Sequence, residues 1–210
     1  MEEVKKSKEE VFKIVSFFML LILFIILIIL IKTNNTLNFD MAVYKFIATN
    51  IISEKITPVV KVITNLGGVL YFVFIAIGSL IIVKNRKIGL AVSLSIGLSA
   101  LVNFIAKNII QRTRPLEEFR LIKESGFSFP SGHSITSMVF YGFLIYLVSE
   151  FVKNKKVKYI LTILFSILIV LIGLSRVYLG VHYITDVLGG FTLGLIFLIL
   201  YISIYKKLTE

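Results

Sequence analysis

Residues 14–31 read IVSFFMLLILFIILIILI, eighteen residues without a charge and with Ser16 as the only polar side chain. A transmembrane helix needs about 20 mostly apolar residues, so this run is long enough to form one. It exceeds the roughly 7–15 residues of a signal-peptide core, and no small-x-small cleavage site follows it. The run therefore predicts a retained membrane span.

Five further segments of the chain are apolar and uncharged, at residues 62–83, 88–106, 134–149, 159–175 and 187–205. Including interfacial flanks, we expect six spans at about residues 11–32, 62–83, 88–111, 130–151, 157–175 and 184–205. The chain is 57% hydrophobic and 17% charged, whereas soluble domains have roughly 25% charged residues. Helices satisfy their own backbone groups in lipid. The fold class is therefore an all-α polytopic protein with a helical-bundle core, forming a single membrane domain over residues 1–210.

The basic residues lie between the spans and predict an orientation. Thirteen of the 23 lysines and arginines fall on the side that holds both termini, as the positive-inside rule expects of cytoplasmic segments. We therefore expect cytoplasmic termini in a plasma or inner membrane. The net charge of +11 then reflects topology, and no nucleic-acid partner is expected. Cysteine is absent, which excludes disulfides and thiolate metal ligands.

Three short stretches contain both histidines and one of the two aspartates. They are KNIIQRTRP at residues 107–115, PSGH at 130–133 and SRVYLGVHYITD at 175–186. Under the expected topology all three lie at the outer ends of spans. The sequence therefore predicts an active site at the outer membrane face.

The first stretch offers two cations to an anion. Lys107 and Arg114 are seven residues apart, which on a helix is two turns and nearly one face. Pro115 would then end the helix. The simpler alternative is a pair of snorkelling interfacial cations.

The second stretch is typical of a helix start. Ser131 is a favoured N-cap, the first backbone N–H groups of a helix are unpaired, and Gly132 allows an anion to approach them. An ordinary capped helix would explain Ser131 but not His133 beside it.

The third stretch pairs His182 with Asp186, four residues later and on the first turns of the last span, so that their side chains are neighbours. A carboxylate on one imidazole N–H leaves the other nitrogen as a nucleophile or base. Arg176, across a bend expected at Gly180, offers a guanidinium to phosphate. The alternative is a structural histidine. No metal-ligand spacing is present, so the three stretches together favour phosphoryl transfer without a metal.

In this order the motifs Lys-x6-Arg-Pro, Pro-Ser-Gly-His and Ser-Arg-x5-His-x3-Asp resemble the signature of the type 2 phosphatidic acid phosphatase family. That family also includes the vanadium haloperoxidases and glucose-6-phosphatase. The resemblance implies that His182 is a nucleophile forming a phosphohistidine, oriented by Asp186, and that His133 is the general acid. It implies five phosphate-binding residues, Lys107, Arg114, Ser131, Gly132 and Arg176. It also implies that no metal or other cofactor is required.

The resemblance further implies a lipid phosphate or diphosphate as substrate. Undecaprenyl diphosphate is preferred because its recycling suits an outer-face site, with phosphatidylglycerophosphate or phosphatidate as the alternative. A haloperoxidase holding vanadate in the same anion pocket is a second enzymatic hypothesis, which six spans argue against, and a transporter or scaffold is the non-enzymatic one. Residues 116–129 are the outer segment near the site that could form a lid, although the conformation of this loop stays open. Residues 41–52 could form either an interfacial helix or a re-entrant connection. The oligomeric state stays open.

Overall fold

The computed structural model describes residues 2–209, and the side chains of residues 10–209. Within these residues the chain is helical and loop, without strands. The helices are α1 (Glu2–Lys32), α2 (Leu37–Asn50), α3 (Thr57–Asn65), α4 (Val69–Ile82), α5 (Arg86–Ile110), α6 (Gly132–Phe151), α7 (Lys155–Tyr178) and α8 (Ile184–Thr209), with a short 3₁₀ turn at Glu117–Phe119.

Six helical segments of the described chain are long and apolar enough to cross a membrane: Glu10–Lys32, Thr57–Ile82, Arg86–Ile110, Gly132–Phe151, Lys155–Tyr178 and Ile184–Thr209. The prediction of an all-α protein with six spans is thereby confirmed. The second segment starts five residues before the predicted boundary and is broken between α3 and α4. The break falls at Gly67 and Gly68, because glycine is a poor helix former.

Helix α6 is the centre of the bundle and packs against α5, α7 and α8. Of the residues in its apolar stretch, 56% are buried within the protein, whereas the corresponding fraction for α1 is 11%. Because protein rather than lipid surrounds α6, its surface can include hydroxyls such as Ser134 and Ser137, both fully buried.

Glycines bring α6 and α8 into close contact. A Cβ added to Gly190 would lie 2.7 Å from the carbonyl oxygen of Ser131, and one added to Gly194 would lie 2.8 Å from Cβ of Met138. Small residues permit this approach of two helix backbones in membranes. The approach holds the beginning of α6 directly beside the beginning of α8.

The connection between α1 and the second span contains a helix, α2. The sequence had allowed either an interfacial helix or a re-entrant connection over residues 41–52. Fourteen residues make a helix of about 21 Å, which is shorter than the hydrocarbon core of a bilayer. The helix exposes Phe39 and Phe46 but buries Asp40. It contacts α7 and α8, so it lies against the same end of the bundle as the three motifs.

Candidate active site

The three motifs meet at one end of the helical bundle. The end of α5, the beginning of α6, the end of α7 and the beginning of α8 converge there. Residues 111–131 join α5 to α6, and residues 179–183 join α7 to α8. His133 and His182 line one cavity together with Lys107, Arg114 and Arg176. Residues from segments 75 positions apart are thus brought into one site.

His182 and Asp186 form a buried pair, although not in the way the spacing predicted. Helix α8 begins at Ile184, so His182 lies in the turn before it, not on its first turn. Its Nδ1 is 3.4 Å from Oδ2 of Asp186. The same Oδ2 accepts hydrogen bonds from the Tyr183 backbone N–H at 2.8 Å and from the Ser128 hydroxyl. These donors hold Asp186 as an ionised acceptor for the imidazole.

The second ring nitrogen of His182 faces the cavity. Nε2 lies 3.1 Å from Nη1 of Arg114, and a guanidinium only donates. The geometry therefore assigns the proton to Nδ1 and a lone pair to Nε2. Burial, reinforced by Arg114 and Lys107, lowers the pKa of His182 to about 3 despite the opposing effect of Asp186. The imidazole is neutral at physiological pH, as a nucleophile requires.

Lys107 and Arg114 both reach the site, but the prediction that they share one helical face is wrong. Helix α5 ends at Ile110 because Gln111 adopts a left-handed conformation with φ of 55°, so Pro115 is not what stops it. Arg114 lies in the following loop and donates to the carbonyl oxygens of Val181 at 2.8 Å and Gly126 at 3.0 Å. Lys107 donates to Ser128 O at 3.2 Å.

The start of α6 is built as the sequence predicted. Ser131 is the N-cap, and its hydroxyl oxygen accepts from the Ser134 backbone N–H at 3.4 Å. Gly132 opens the helix where a Cβ would meet the Asn103 side chain at 2.8 Å. Gly132 and His133, the first two residues of this helix, both line the cavity, and a helix start leaves backbone N–H groups without intrahelical partners.

Arg176 is buried and already binds a carboxylate. Its Nη1 donates to Thr64 Oγ1 at 2.9 Å, and its Nη2 pairs with Glu124 from the loop of residues 116–129. Arg114 Nη2 is 3.9 Å from the other oxygen of Glu124. Within the described residues Arg176 Nε has no hydrogen-bond partner. The two guanidinium groups are thus arranged around an anion.

The cavity extends from these charges into the apolar part of the bundle. Its volume is about 390 Å³, and its apolar walls come from α4 and α5, including Phe72, Ile96 and Gly97. The residues that line it on α5 run from Ser93 to Lys107, a rise of about 21 Å. The site therefore combines a cluster of cationic side chains with a long apolar groove.

Comparison with known proteins identifies the family to which this chain belongs. Residues 88–210 match the model of the PAP2 superfamily. Phosphatidylglycerophosphatase B of Bacillus subtilis is 36% identical over 193 residues, 89% of this chain and 91% of that protein. An undecaprenyl-diphosphatase of Sulfolobus acidocaldarius is 29% identical over 130 residues, 59% of each chain.

A solved structure supports the same assignment. The crystal structure of a transmembrane PAP2-type phosphatidylglycerolphosphate phosphatase from Bacillus subtilis superposes with a TM-score of 0.81 at 36% identity, covering 91% of this chain and 96% of that one. The fold and the sequence thus agree over nearly the whole length. The chain belongs to the PAP2 superfamily and is a multi-pass membrane hydrolase of phosphate esters.

Proposed function

We propose that this enzyme hydrolyses the phosphate monoester of phosphatidylglycerophosphate through a phosphohistidine at His182. The observation that carries the proposal is the neutral Nε2 of His182, placed among cations at the head of an apolar groove. The similarity to the Bacillus phosphatidylglycerophosphatase B spans most of both chains, whereas the undecaprenyl-diphosphatase matches only 59% of this one. This favours the alternative substrate over the sequence-based preference for undecaprenyl diphosphate.

The reaction runs in two displacement steps. Nε2 of His182 attacks phosphorus, a P–N bond forms, and the P–O bond to the glycerol oxygen breaks. His133, which takes up a proton when the anionic substrate binds, donates that proton to the glycerol oxygen. His133 then takes a proton from a water molecule, whose oxygen attacks phosphorus and releases inorganic phosphate and His182. Asp186 stabilises the positive charge that the imidazole gains in the first step, as in other His–carboxylate pairs.

The surrounding cations stabilise the charge that develops on phosphorus. Phosphoryl transfer depends mainly on positioning and on neutralising the equatorial oxygens. Lys107, Arg114 and Arg176 line the cavity and supply positive charge to it, and the helix start at Gly132 supplies backbone N–H groups. Ser131 contributes by capping that helix.

The groove between α4, α5 and α6 binds the lipid chain in this proposal. Its apolar walls would contact the hydrocarbon chain of the substrate in place of bilayer lipid, while the phosphate headgroup contacts the cations. By the distribution of lysine and arginine the site faces outward, with both termini in the cytoplasm. Undecaprenyl diphosphate is the second candidate, and the Sulfolobus relative supports it.

Phosphate release from purified enzyme in detergent tests the proposal. His182→Ala is expected to abolish release from phosphatidylglycerophosphate without lowering the melting temperature by more than a few degrees. Wild-type activity is expected to persist in EDTA. Activity of His182→Ala above about 1% of wild type would refute the nucleophile, and loss of wild-type activity in EDTA would refute metal-free catalysis.

A substrate panel tests the choice of lipid. We expect kcat/KM to be highest for phosphatidylglycerophosphate and lower for phosphatidate and a prenyl diphosphate of matched chain length. A higher kcat/KM for the prenyl diphosphate would favour the second candidate instead.

A further inference from the structure

Two residues outside the motif positions of the site form an ionic bridge behind Asp186. Arg112 donates from Nη1 to Oδ1 of Asp186 at 2.7 Å, and from Nη2 to Oδ2 of Asp40 at 2.6 Å. Asp40 comes from α2, 146 positions before Asp186, and its side chain is fully buried. One guanidinium therefore links the connection after α1 to the start of α8.

Asp40 and Arg112 each make further contacts that hold the ionic bridge in place. Asp40 accepts from the backbone N–H of Thr185 at 3.1 Å and from its hydroxyl at 2.9 Å. Arg112 also donates to Thr36 Oγ1 at 3.2 Å, and its guanidinium lies 4.3 Å from the centre of the Tyr183 ring. Because a guanidinium is planar and fork-shaped, it can serve two carboxylates at once in a way that an ammonium cannot.

The two oxygens of Asp186 have separate roles. Oδ1 is bound to Arg112, and Oδ2 faces His182, Ser128 and the Tyr183 N–H. Arg112 thereby fixes the rotation of the carboxylate that presents Oδ2 to the imidazole. A carboxylate free to rotate would hold the Nδ1–H tautomer of His182 less well.

The second carboxylate bound to Arg112, that of Asp40, preserves the negative charge of Asp186. A buried arginine with a single carboxylate partner would neutralise it and reduce the stabilisation that the carboxylate gives to a positively charged imidazole. Because Arg112 shares its charge with Asp40, Asp186 keeps negative charge for His182. We infer that Arg112 and Asp40 are positioning residues that set the orientation and charge of Asp186, and through it the reactivity of His182; this rests on the proposed function.

The test compares Asp40→Asn and Arg112→Lys with Thr49→Ala, an exposed polar change on the same helix α2. We expect kcat for phosphatidylglycerophosphate to fall by about 10- to 100-fold, taking as a guide the loss seen when partners that orient metal-binding histidines are removed. KM should change by less than about threefold, since the bridge touches none of the cavity's cations. Thr49→Ala should match wild type. If Asp40→Asn does not fold, Arg112→Lys, which keeps the charge, carries the test.

A double-mutant cycle separates positioning from a general structural role. If Arg112 acts through Asp186, Arg112→Gln should lower kcat strongly in wild type but by no more than about twofold in Asp186→Asn. Equal losses in both backgrounds, or kcat within twofold of wild type in Asp40→Asn or Arg112→Lys, would overturn the inference. His182→Ala in the same series distinguishes the two claims, because activity in that variant would refute the proposed nucleophile, whatever Arg112 does.

Discussion

Filling the apolar groove at Gly97 should separate lipid binding from chemistry. Gly97 lines the cavity on α5, and a Cβ built there has no heavy atom within 4 Å. Gly97→Leu therefore places four carbons in the groove without a clash at the backbone. A leucine in place of glycine also improves helix propensity by roughly 0.8–1 kcal/mol. Stability should hold or rise while substrate binding falls.

The loss follows from the hydrocarbon that leucine displaces. Three to four methylenes of the lipid chain lose their place in the groove, at about 0.8 kcal/mol each. That value is for transfer from water, and the displaced methylenes enter detergent instead, so roughly 2.4–3.2 kcal/mol is the upper limit of the loss and the fall in kcat/KM is at most about 50- to 200-fold. A substrate with acyl chains too short to reach Gly97 should lose less than about threefold.

The assay measures phosphate release from long-chain and short-chain phosphatidylglycerophosphate in the same detergent. Gly78→Leu is the matched control, because a Cβ at Gly78 on α4 meets only Ile82 Cδ1 at 4.0 Å and this glycine is not among the cavity-lining residues. The reasoning is refuted if Gly97→Leu leaves the long-to-short ratio of kcat/KM unchanged, or if Gly78→Leu lowers it equally.

Three further predictions concern the head of the site. The pKa of His182 is lowered to about 3, so the rate of phosphoenzyme formation should not fall between pH 8 and pH 5 through protonation of this residue. The rate is corrected for ionisation of the substrate, which ³¹P NMR measures. A fall in the rate with a midpoint near pH 6.5 would contradict this. Glu124→Gln should lower the inhibition constant of inorganic phosphate about tenfold, the equivalent of one charge-assisted hydrogen bond, whereas an increase would show that Glu124 assists anion binding. Gly180→Ala should cost at least about 1 kcal/mol, because Gly180 has φ of 68° and an added Cβ would lie 2.0 Å from Phe119 O; a melting temperature like that of Gly97→Ala would contradict the strain.

Much of the site was predictable because its residues lie at helix ends. Alternating spans bring the end of α5 and the start of α6 to the same side, so the positions of Lys107 and His133 follow from hydropathy and chain order. The Ser131 cap needs only local chemistry. The bend at Gly180 was predicted for the same reason, since glycine alone tolerates a left-handed backbone at no cost.

The partners of Asp186 were not predictable in the same way. Asp40 and Arg112 are 72 positions apart, and no periodicity relates residues on different segments. One signal was present: Asp40 is one of only two aspartates in the chain, and an acid in an apolar protein needs a partner when buried. Glu124 and Ser128 lie in an irregular loop, where sequence pattern gives no side-chain direction.

The balance of charge at the site bears on the choice between a phosphate monoester and a diphosphate. Four cations surround the two histidines and Asp186, namely Lys107, Arg112, Arg114 and Arg176. Two carboxylates, Asp40 and Asp186, are buried and fixed, which leaves an excess of two positive charges when both histidines are neutral, before substrate binds. Glu124 compensates half of that excess from a loop, and its side chain is 31% exposed.

A phosphate monoester dianion matches the excess when Glu124 moves away from Arg176 and Arg114. A diphosphate carries more negative charge than these groups offer, and its additional charge would have to be held at the exposed loop, where ion pairs contribute little. The charge balance therefore favours a monoester dianion at the reacting phosphate. Phosphatidylglycerophosphate also carries a phosphodiester anion, but a glycerol unit separates it from the reacting phosphate, whereas the additional charge of a diphosphate is on the directly attached phosphate. The preference for the monoester should shrink in Glu124→Lys, which adds two positive charges to the loop. A monoester-to-diphosphate ratio of kcat/KM that is unchanged in that variant would show that specificity comes from the groove rather than from charge.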